Sequence, residues 1–453
     1  MPTLTLPHQM DLDQFRGTGI RFILYSHDTF GLGHIRRSLS LAAHFTSALP
    51  DSHVLIVTGS PFAHSYALPP RTDYIKMPAV TKQSNGAYRS RSLDLEFNSI
   101  RDLRATLLRE TARAYHPDVF IVDHAPQGLK GEVLSTLAML RETQPECLRV
   151  LGQRDIIDAG HVVRKTWNED GVYNTLEEDY DLILVYGTVN LYDINAEYAL
   201  PEPIHTRVRY CGYLDRLSEE TLAEDAPIEE ARTAALQSEL FSASDRLVVV
   251  TAGGGGDGFA LMRAYLSGLQ RLSSLSFASL LLVGPFMPEA EQRELHEMAA
   301  ALPAGLVRIE TFLVNPLPFL RAADLVVAMA GYNTTCELLA LQQRILLVPR
   351  ATPRQEQVIR ASLLAQHRLA YMLHPDLLTP ERLIEYVQNI LARPRPQKQD
   401  LAAAGISFDG QSSALKEILA GLNRLPEERR LVVPLLTKSP RQGKHYENRL
   451  YLH

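Results

Sequence analysis

Short apolar runs alternate along this chain with stretches of helical periodicity, and the alternation occurs twice. In the first half the runs are FILYS, HVLIVTG, DYIKMP, DVFIVD, RVLGQRD and LILVYG, with helix-like segments between most of them. A strand covered on both faces needs a continuous apolar run, whereas a crossover helix needs only one apolar stripe, so this pattern predicts a parallel sheet with helices on both sides. The second half repeats it with RLVVVTAGG, ASLLLVGP, VRIETF, LVVAMAG, ILLVPR and LAYMLH. Between the halves, Ser218 to Glu239 is acidic, rich in Ala and Glu, and lacks strand character, which predicts a linker and a surface helix. The expected fold class is α/β: two doubly wound Rossmann-like domains, residues 19–217 and 245–425, facing each other across a cleft. The linker occupies 218–244 and a basic tail 426–453. Ligands of such sheets sit at the carboxyl ends of the strands.

Three strand-end loops carry candidate chemistry. Leu325 to Met329 is an apolar run that leads through Gly331 into Asn333 to Ala340, a segment with helix-start chemistry. First-turn amides and the positive end of the helix dipole favour a phosphate there, and Gly331 lets a ligand approach the backbone. Glu337 lies one turn beyond Asn333, where its carboxylate could accept two ribose hydroxyls or simply complement the dipole. Arg246 to Thr251 is a β-branched strand that enters Gly253, Gly254, Gly255, Gly256, Asp257 and Gly258 before a helical segment. Such a cluster can turn several amides towards a diphosphate, or serve only as a tight turn. No Lys-Ser/Thr follows, so a nucleoside triphosphatase loop does not fit.

The third loop joins the strand Phe22 to Ser26 to a helix opened by Gly31-Leu32-Gly33-His34. It is not a GxGxxG turn, and the next strand ends in Thr58-Gly59-Ser60 with no acid for a ribose, which disfavours a nicotinamide or flavin enzyme. His34 stands at a helix entrance, where the dipole favours the neutral imidazole that a general base requires. Among 15 histidines, position alone singles it out. Asp123-His124 and Arg154-Asp155 follow two further strands. Asp123 could orient His34, act as base itself, or do no more than cap and salt-bridge. The polar loop Lys82 to Tyr88, continued by Arg89 and Arg91, could bind an anionic acceptor or be a solvated loop. Trp167, the sole tryptophan, fits a core or interface position or a sugar-stacking role.

On these motifs the chain resembles the MurG-like glycosyltransferases of the GT-B fold, with a family-28-type C-terminal domain. The likeness covers most of residues 20 to 425 and is sharpest in the second half. The family's glycine-rich loop ending in His is similar to GLGH, which implies acceptor-side roles for Gly31 and Gly33 and a base or acceptor role for His34. An Arg shortly after a strand at the domain junction matches VRYCGYLDR and implies that Arg216 closes over the diphosphate. TAGGGGDG resembles the family's GGSxG donor loop, with Gly255 or Gly256 where the Ser would sit. Gly331-Tyr332-Asn333-Thr334-Thr335-Cys336-Glu337 resembles Gly-Ala-x-Thr-x-x-Glu, which implies ribose binding by Glu337. Glu356-Gln357 before Arg360-Ala361 stands where the family has Gln-Gln before Asn-Ala, implying contacts to sugar hydroxyls; the Gln to Glu change leaves the sugar open. Asp257 and Leu313 join the implied donor side and Arg154 the acceptor side.

The implied activity moves a hexose or N-acetylhexosamine from a nucleotide diphosphate sugar, with uridine expected, to an unidentified acceptor hydroxyl with inversion. Helix N-termini and Arg216 would take the leaving charge, so neither metal nor cofactor is expected. A nucleotide-sugar epimerase or hydrolase, and a non-catalytic nucleotide-sugar-binding protein, remain alternatives.

Composition bounds these readings. At 453 residues about two domains are expected, and 45% apolar with 22% charged residues describes a globular protein. Cys147, Cys211 and Cys336 are distant from one another and lack His partners, which suggests neither a zinc site nor a disulfide framework. A net charge of −6 argues against nucleic-acid binding. The start of the chain has no apolar signal core, so a cytoplasmic protein is expected; the basic tail beside its VVPLL run could rest on an anionic membrane surface.

Overall fold

A computed structural model describes residues 19–26, 33–82, 88–214, 226–274, 276–313 and 315–425. Gly31, Arg216, residues 83–87 of the polar loop and the tail at 426–453 lie outside the described residues. Fifteen strands are present among them: β1 (Arg21–Ser26), β2 (His53–Thr58), β3 (Thr72–Lys76), β4 (Val80–Lys82), β5 (Tyr88–Ser90), β6 (Val119–Asp123), β7 (Leu148–Arg154), β8 (Leu182–Tyr186), β9 (Val208–Tyr210), β10 (Leu247–Thr251), β11 (Ala278–Leu282), β12 (Val307–Glu310), β13 (Leu325–Ala328), β14 (Ile345–Leu347) and β15 (Tyr371–Met372).

The first sheet has seven parallel strands in the order β3-β2-β1-β6-β7-β8-β9, and the second has six in the order β12-β11-β10-β13-β14-β15. All six residues of β1 except Arg21 are buried, as is every residue of β6, β8, β10 and β11. That two-sided burial is why these strands are written as unbroken Val, Ile and Leu runs. In each sheet the order reverses beside the first strand, which opens a crevice between β1 and β6 and another between β10 and β13.

Two features depart from the sequence expectation. The polar loop is flanked by a two-stranded antiparallel hairpin, β4–β5, too short for any periodicity signal. The last described helix also packs away from the second sheet. The helix Gly410–Arg424 returns to the first sheet, where it packs on the helix Gly33–Ala48 and on β7 and β8. Its stripe of Ala414, Leu415, Ile418 and Leu419 supplies the apolar face, and Gln411 Nε2 donates to Ser40 Oγ at 3.0 Å. The linker region carries the helix Ala226–Ala243, which buries Leu236 and Leu240 beside β11. As a result one apolar cluster runs continuously from Phe22 and Leu148 of the first domain to Tyr332 and Leu347 of the second.

Beneath the first sheet lies a charged network with no access to solvent. Arg104 donates to Glu132 through Nε at 2.7 Å and Nη2 at 2.6 Å, and to Pro78 O at 2.7 Å, while the Tyr25 hydroxyl donates to the same carboxylate at 2.5 Å. Burial, reinforced by Glu132, pushes the Tyr25 hydroxyl far above the ordinary tyrosine range, so it remains a donor. Removing one partner strands the other in a low-dielectric interior. Arg104→Ala is therefore expected to cost about 3–5 kcal/mol in urea unfolding, whereas Arg101→Ala, half-exposed one turn earlier on the helix Phe97–Tyr115, should stay within about 0.5 kcal/mol.

Candidate active site

The second domain builds its crevice from two loops that leave neighbouring strands. Thr251 at the end of β10 is in register with Ala328 at the end of β13, and Met329 N–H donates to Thr251 O at 3.4 Å. The glycine loop and the segment through Gly331 therefore emerge side by side. Gly255 has φ of 90°, and a Cβ there would lie 2.1 Å from Val283 O, so only glycine fits. Gly253 also has positive φ, at 61°, yet a Cβ on it would meet nothing within 4 Å. Gly331 likewise faces open space, and it heads the helix Tyr332–Ala340. One edge thus offers bare backbone and a helix N-terminus in the same place, the arrangement that suits an anion.

Other predicted donor-side residues are placed less simply. Glu356 accepts from Arg350 Nη2 at 2.5 Å, Gln357 Oε1 accepts from Arg350 N at 3.1 Å, and Arg350 Nε lies 2.8 Å from Asp257 Oδ2. Arg350, which sequence reasoning missed, ties the glycine loop to the start of the helix Glu356–Gln366; the signal was a cation ending the strand-like run ILLVPR. Burial raises the Asp257 carboxyl and Arg350 opposes that shift. Leu313 is a core residue, 6% exposed. Thr334 is half-buried on the first turn of its helix. Glu337 is less open than a ribose contact requires: its side chain is only 4% exposed and Arg36 of the first domain stands 3.5 Å from its Oε1. Domain contact, invisible to local periodicity, covers this carboxylate.

The facing edge of the first domain brings His34 and Asp123 together from 89 residues apart. His34 Nδ1 and Asp123 Oδ2 are 2.5 Å apart. Arg37, one turn beyond His34, donates to both Asp123 oxygens at 2.7 and 2.8 Å. Burial alone would push the Asp123 carboxyl up, but Arg37 and then His34 outweigh it and hold the group well below the usual carboxylate range. A carboxylate so firmly ionised is a weak proton acceptor. The structure thus favours Asp123 as the group that orients His34 over Asp123 as a base. Arg37 was missed, although its place three residues after His34 on one helix face could have revealed it.

The two edges also touch. Gly33 O accepts from Asn333 Nδ2 at 3.3 Å, and a Cβ at residue 33 would crowd that amide at 2.8 Å. Tyr332 is buried; its hydroxyl donates to Tyr186 O at 2.8 Å, and its ring centroid lies 5.8 Å from the guanidinium carbons of both Arg37 and Arg360. Arg360 crosses the seam to hold Asp155 at 3.0 and 2.6 Å and also donates to Ala330 O at 2.7 Å. Arg154, the predicted acceptor-side residue, contacts His124. Trp167 is a core residue of the first domain, edge-on to Tyr173 and Tyr198.

With this geometry in view, comparisons with known proteins place the chain. Residues 247–418 match the glycosyltransferase family 28 C-terminal domain. A curated relative from Shouchella clausii, UDP-N-acetylglucosamine–N-acetylmuramyl-(pentapeptide) pyrophosphoryl-undecaprenol N-acetylglucosamine transferase, is 40% identical over 82 residues, which is 17% of this chain and 23% of the relative. Its counterpart from Exiguobacterium sp. is 26% identical over 184 residues, 40% of this chain and 49% of the relative. The chain spans only part of such relatives, 20% of one and 54% of another. Among solved structures, Acinetobacter baumannii MurG aligns with a TM-score of 0.54 at 11% identity, covering 89% of this chain and 99% of that one. UDP-GlcNAc 2-epimerase from Methanocaldococcus jannaschii aligns with a TM-score of 0.57 at 12% identity, covering 88% and 99%. These structural likenesses establish the two-domain GT-B frame and nothing finer.

The Asp123 environment sets a pH dependence. Because its folded-state carboxyl is depressed, its stabilisation is complete above the unfolded-state value of about 3.9 and is lost as pH falls towards the folded-state value. The stability deficit of Asp123→Asn relative to wild type should be full near neutrality and shrink once the pH drops below about 4, as measured by denaturant midpoints. A deficit that stays constant through that range would contradict the ion-pair assignment.

Proposed function

We infer, from a second domain of glycosyltransferase family 28 type set in a GT-B frame, that this chain transfers a hexose or N-acetylhexosamine from a nucleotide diphosphate sugar to an acceptor hydroxyl. The observation that carries the reading is the shared edge: the glycine loop and the N-terminus of the helix Tyr332–Ala340 leave adjacent strands, and Asn333 on that helix touches the first turn of the helix bearing His34. The donor diphosphate would lie on the amides of Gly253 to Gly256 and of the Asn333-Thr334 turn. Charge developing on the departing diphosphate would then fall on oriented peptide dipoles, with Arg216 as a further cation by resemblance.

With Nδ1 held by Asp123, His34 would accept the acceptor's proton through Nε2, while the hydroxyl oxygen attacks the anomeric carbon and the nucleotide diphosphate leaves from the opposite side, inverting the centre. For Glu337 to reach a ribose, Arg36 must move aside. Glu356 and Gln357 would read the sugar, with Arg350 fixing their orientation. Uridine is the expected base because the curated relatives are named for a UDP-sugar donor.

An epimerase keeps a place as the second reading because the epimerase fold aligns as well as the transferase fold. Incubation with donor alone separates the two: release of a new sugar epimer without acceptor would favour the epimerase. No helix of the described residues is long and apolar enough to cross a membrane. Exposed Leu93, Leu95, Leu103 and Leu107, near exposed Arg89 and Arg91, support peripheral contact with an anionic membrane face, where a lipid-linked acceptor would reside.

Two measurements test the transferase reading. Calorimetry against uridine, thymidine, guanosine and adenosine diphosphate compounds should find at least one ligand, with uridine favoured; failure of all of them removes it. In the transfer assay, His34→Ala should lower kcat by about 10²–10⁴-fold with little change in donor affinity, and EDTA should leave the rate unchanged.

A further inference from the structure

Four arginines along the seam between the two domains are each claimed by a carboxylate: Arg36 by Glu337, Arg37 by Asp123, Arg350 by Asp257 and Glu356, and Arg360 by Asp155. Arg154 is different. It ends β7, one strand across from Asp123, and meets no carboxylate within 4 Å among the described residues. Its Nη2 lies 2.7 Å from His124 Nε2, and its Nε lies 3.4 Å from His124 Nδ1. A guanidinium has only donors, so the ring nitrogen that bonds to it accepts, and an imidazole supplies no negative charge to balance the arginine.

The surroundings sharpen this imbalance. Burial, with Arg37 and Arg360 adding their repulsion, pushes Arg154 down to about 10, while Asp123 and Glu356 pull weakly the other way. Asp155, the adjacent acid, is spent on Arg360. His124 holds its ring against Arg154 from a left-handed backbone, φ 67°, a region that few non-glycine residues adopt. Its amide is pinned to Gly152 O at 2.7 Å. Arg154 is thus a half-buried cation at a strand's carboxyl end, held by His124, within electrostatic reach of Asp123 and Glu356 and paired with neither.

We propose that Arg154, steadied by His124, forms an anion-binding subsite that takes a carboxylate or phosphate carried by a substrate. This deepens the transferase reading and rests on it for the word substrate. The anion belongs either to the acceptor, beside its attacking hydroxyl, or to a uronate-type donor sugar; the chemistry of recognition, a planar fork meeting an oxyanion, is the same.

Calorimetric titration of inorganic phosphate into the full chain, with and without saturating UDP, tests it. Wild type should bind phosphate in both states. Arg154→Gln and Arg154→Met should weaken that binding about tenfold or more, and Arg154→Lys, which keeps the charge, by less than about threefold. Unchanged phosphate affinity in a glutamine or methionine variant that retains the wild-type melting temperature overturns the proposal, as does failure of wild type to bind phosphate. The titration without UDP needs no nucleotide site, so a chain that fails to bind any nucleotide would end the transferase reading and leave the subsite standing. The source is set by a second arm: a loss in Arg154→Gln confined to UDP-glucuronate, with UDP-N-acetylglucosamine unaffected, puts the anion on the donor, and equal affinities for both put it on the acceptor.

Discussion

The contact between Arg360 and Asp155 governs the geometry of the crevice. Arg360 leaves a helix of the second domain and grips a carboxylate of the first through two parallel hydrogen bonds, with a third to Ala330 O. Tyr332 fills the space beside it between two guanidiniums. A buried ion pair contributes little net stability unless every donor and acceptor is satisfied, but breaking one is costly. Such a contact therefore fixes the orientation of the domains more than it fixes their affinity.

Electrostatics within the first domain divides labour between neighbouring groups. Asp123 is committed to Arg37 and His34, contacts that favour its ionised form and hold the imidazole in place. In the second domain Arg350 plays the bracing part, holding Asp257, Glu356 and the backbone of the following loop in one arrangement. In both domains a charged residue at a strand's carboxyl end positions another group. The glycine loop completes the pattern with residues of different purpose: Gly255 is required by the backbone itself, whereas Gly253 leaves room that the fold does not use.

Glu337 shows how domain contact modifies a local motif. Its position on the first turns of a helix suits a ribose, yet Arg36 arrives from the opposite domain and covers it.

Much of the architecture was legible in the chain alone. Unbroken Val, Ile and Leu runs specify strands buried on both faces, and the run HVLIVT became β2 without adjustment. The strand-to-helix transitions after β10 and β13 were legible at GGGGDG and GYNTTCE, because glycine and helix-start chemistry are local properties. The return of the helix Gly410–Arg424 to the first sheet was not legible, since its amphipathic stripe is equally compatible with either domain. Nor were the pairings of Arg36, Arg37, Arg350 and Arg360: a charge in the sequence has no partner until folding sets the distance, and 205 residues separate Arg360 from Asp155. Local patterning determined which residues could meet a ligand, and only tertiary packing decided which of their charges were already spent.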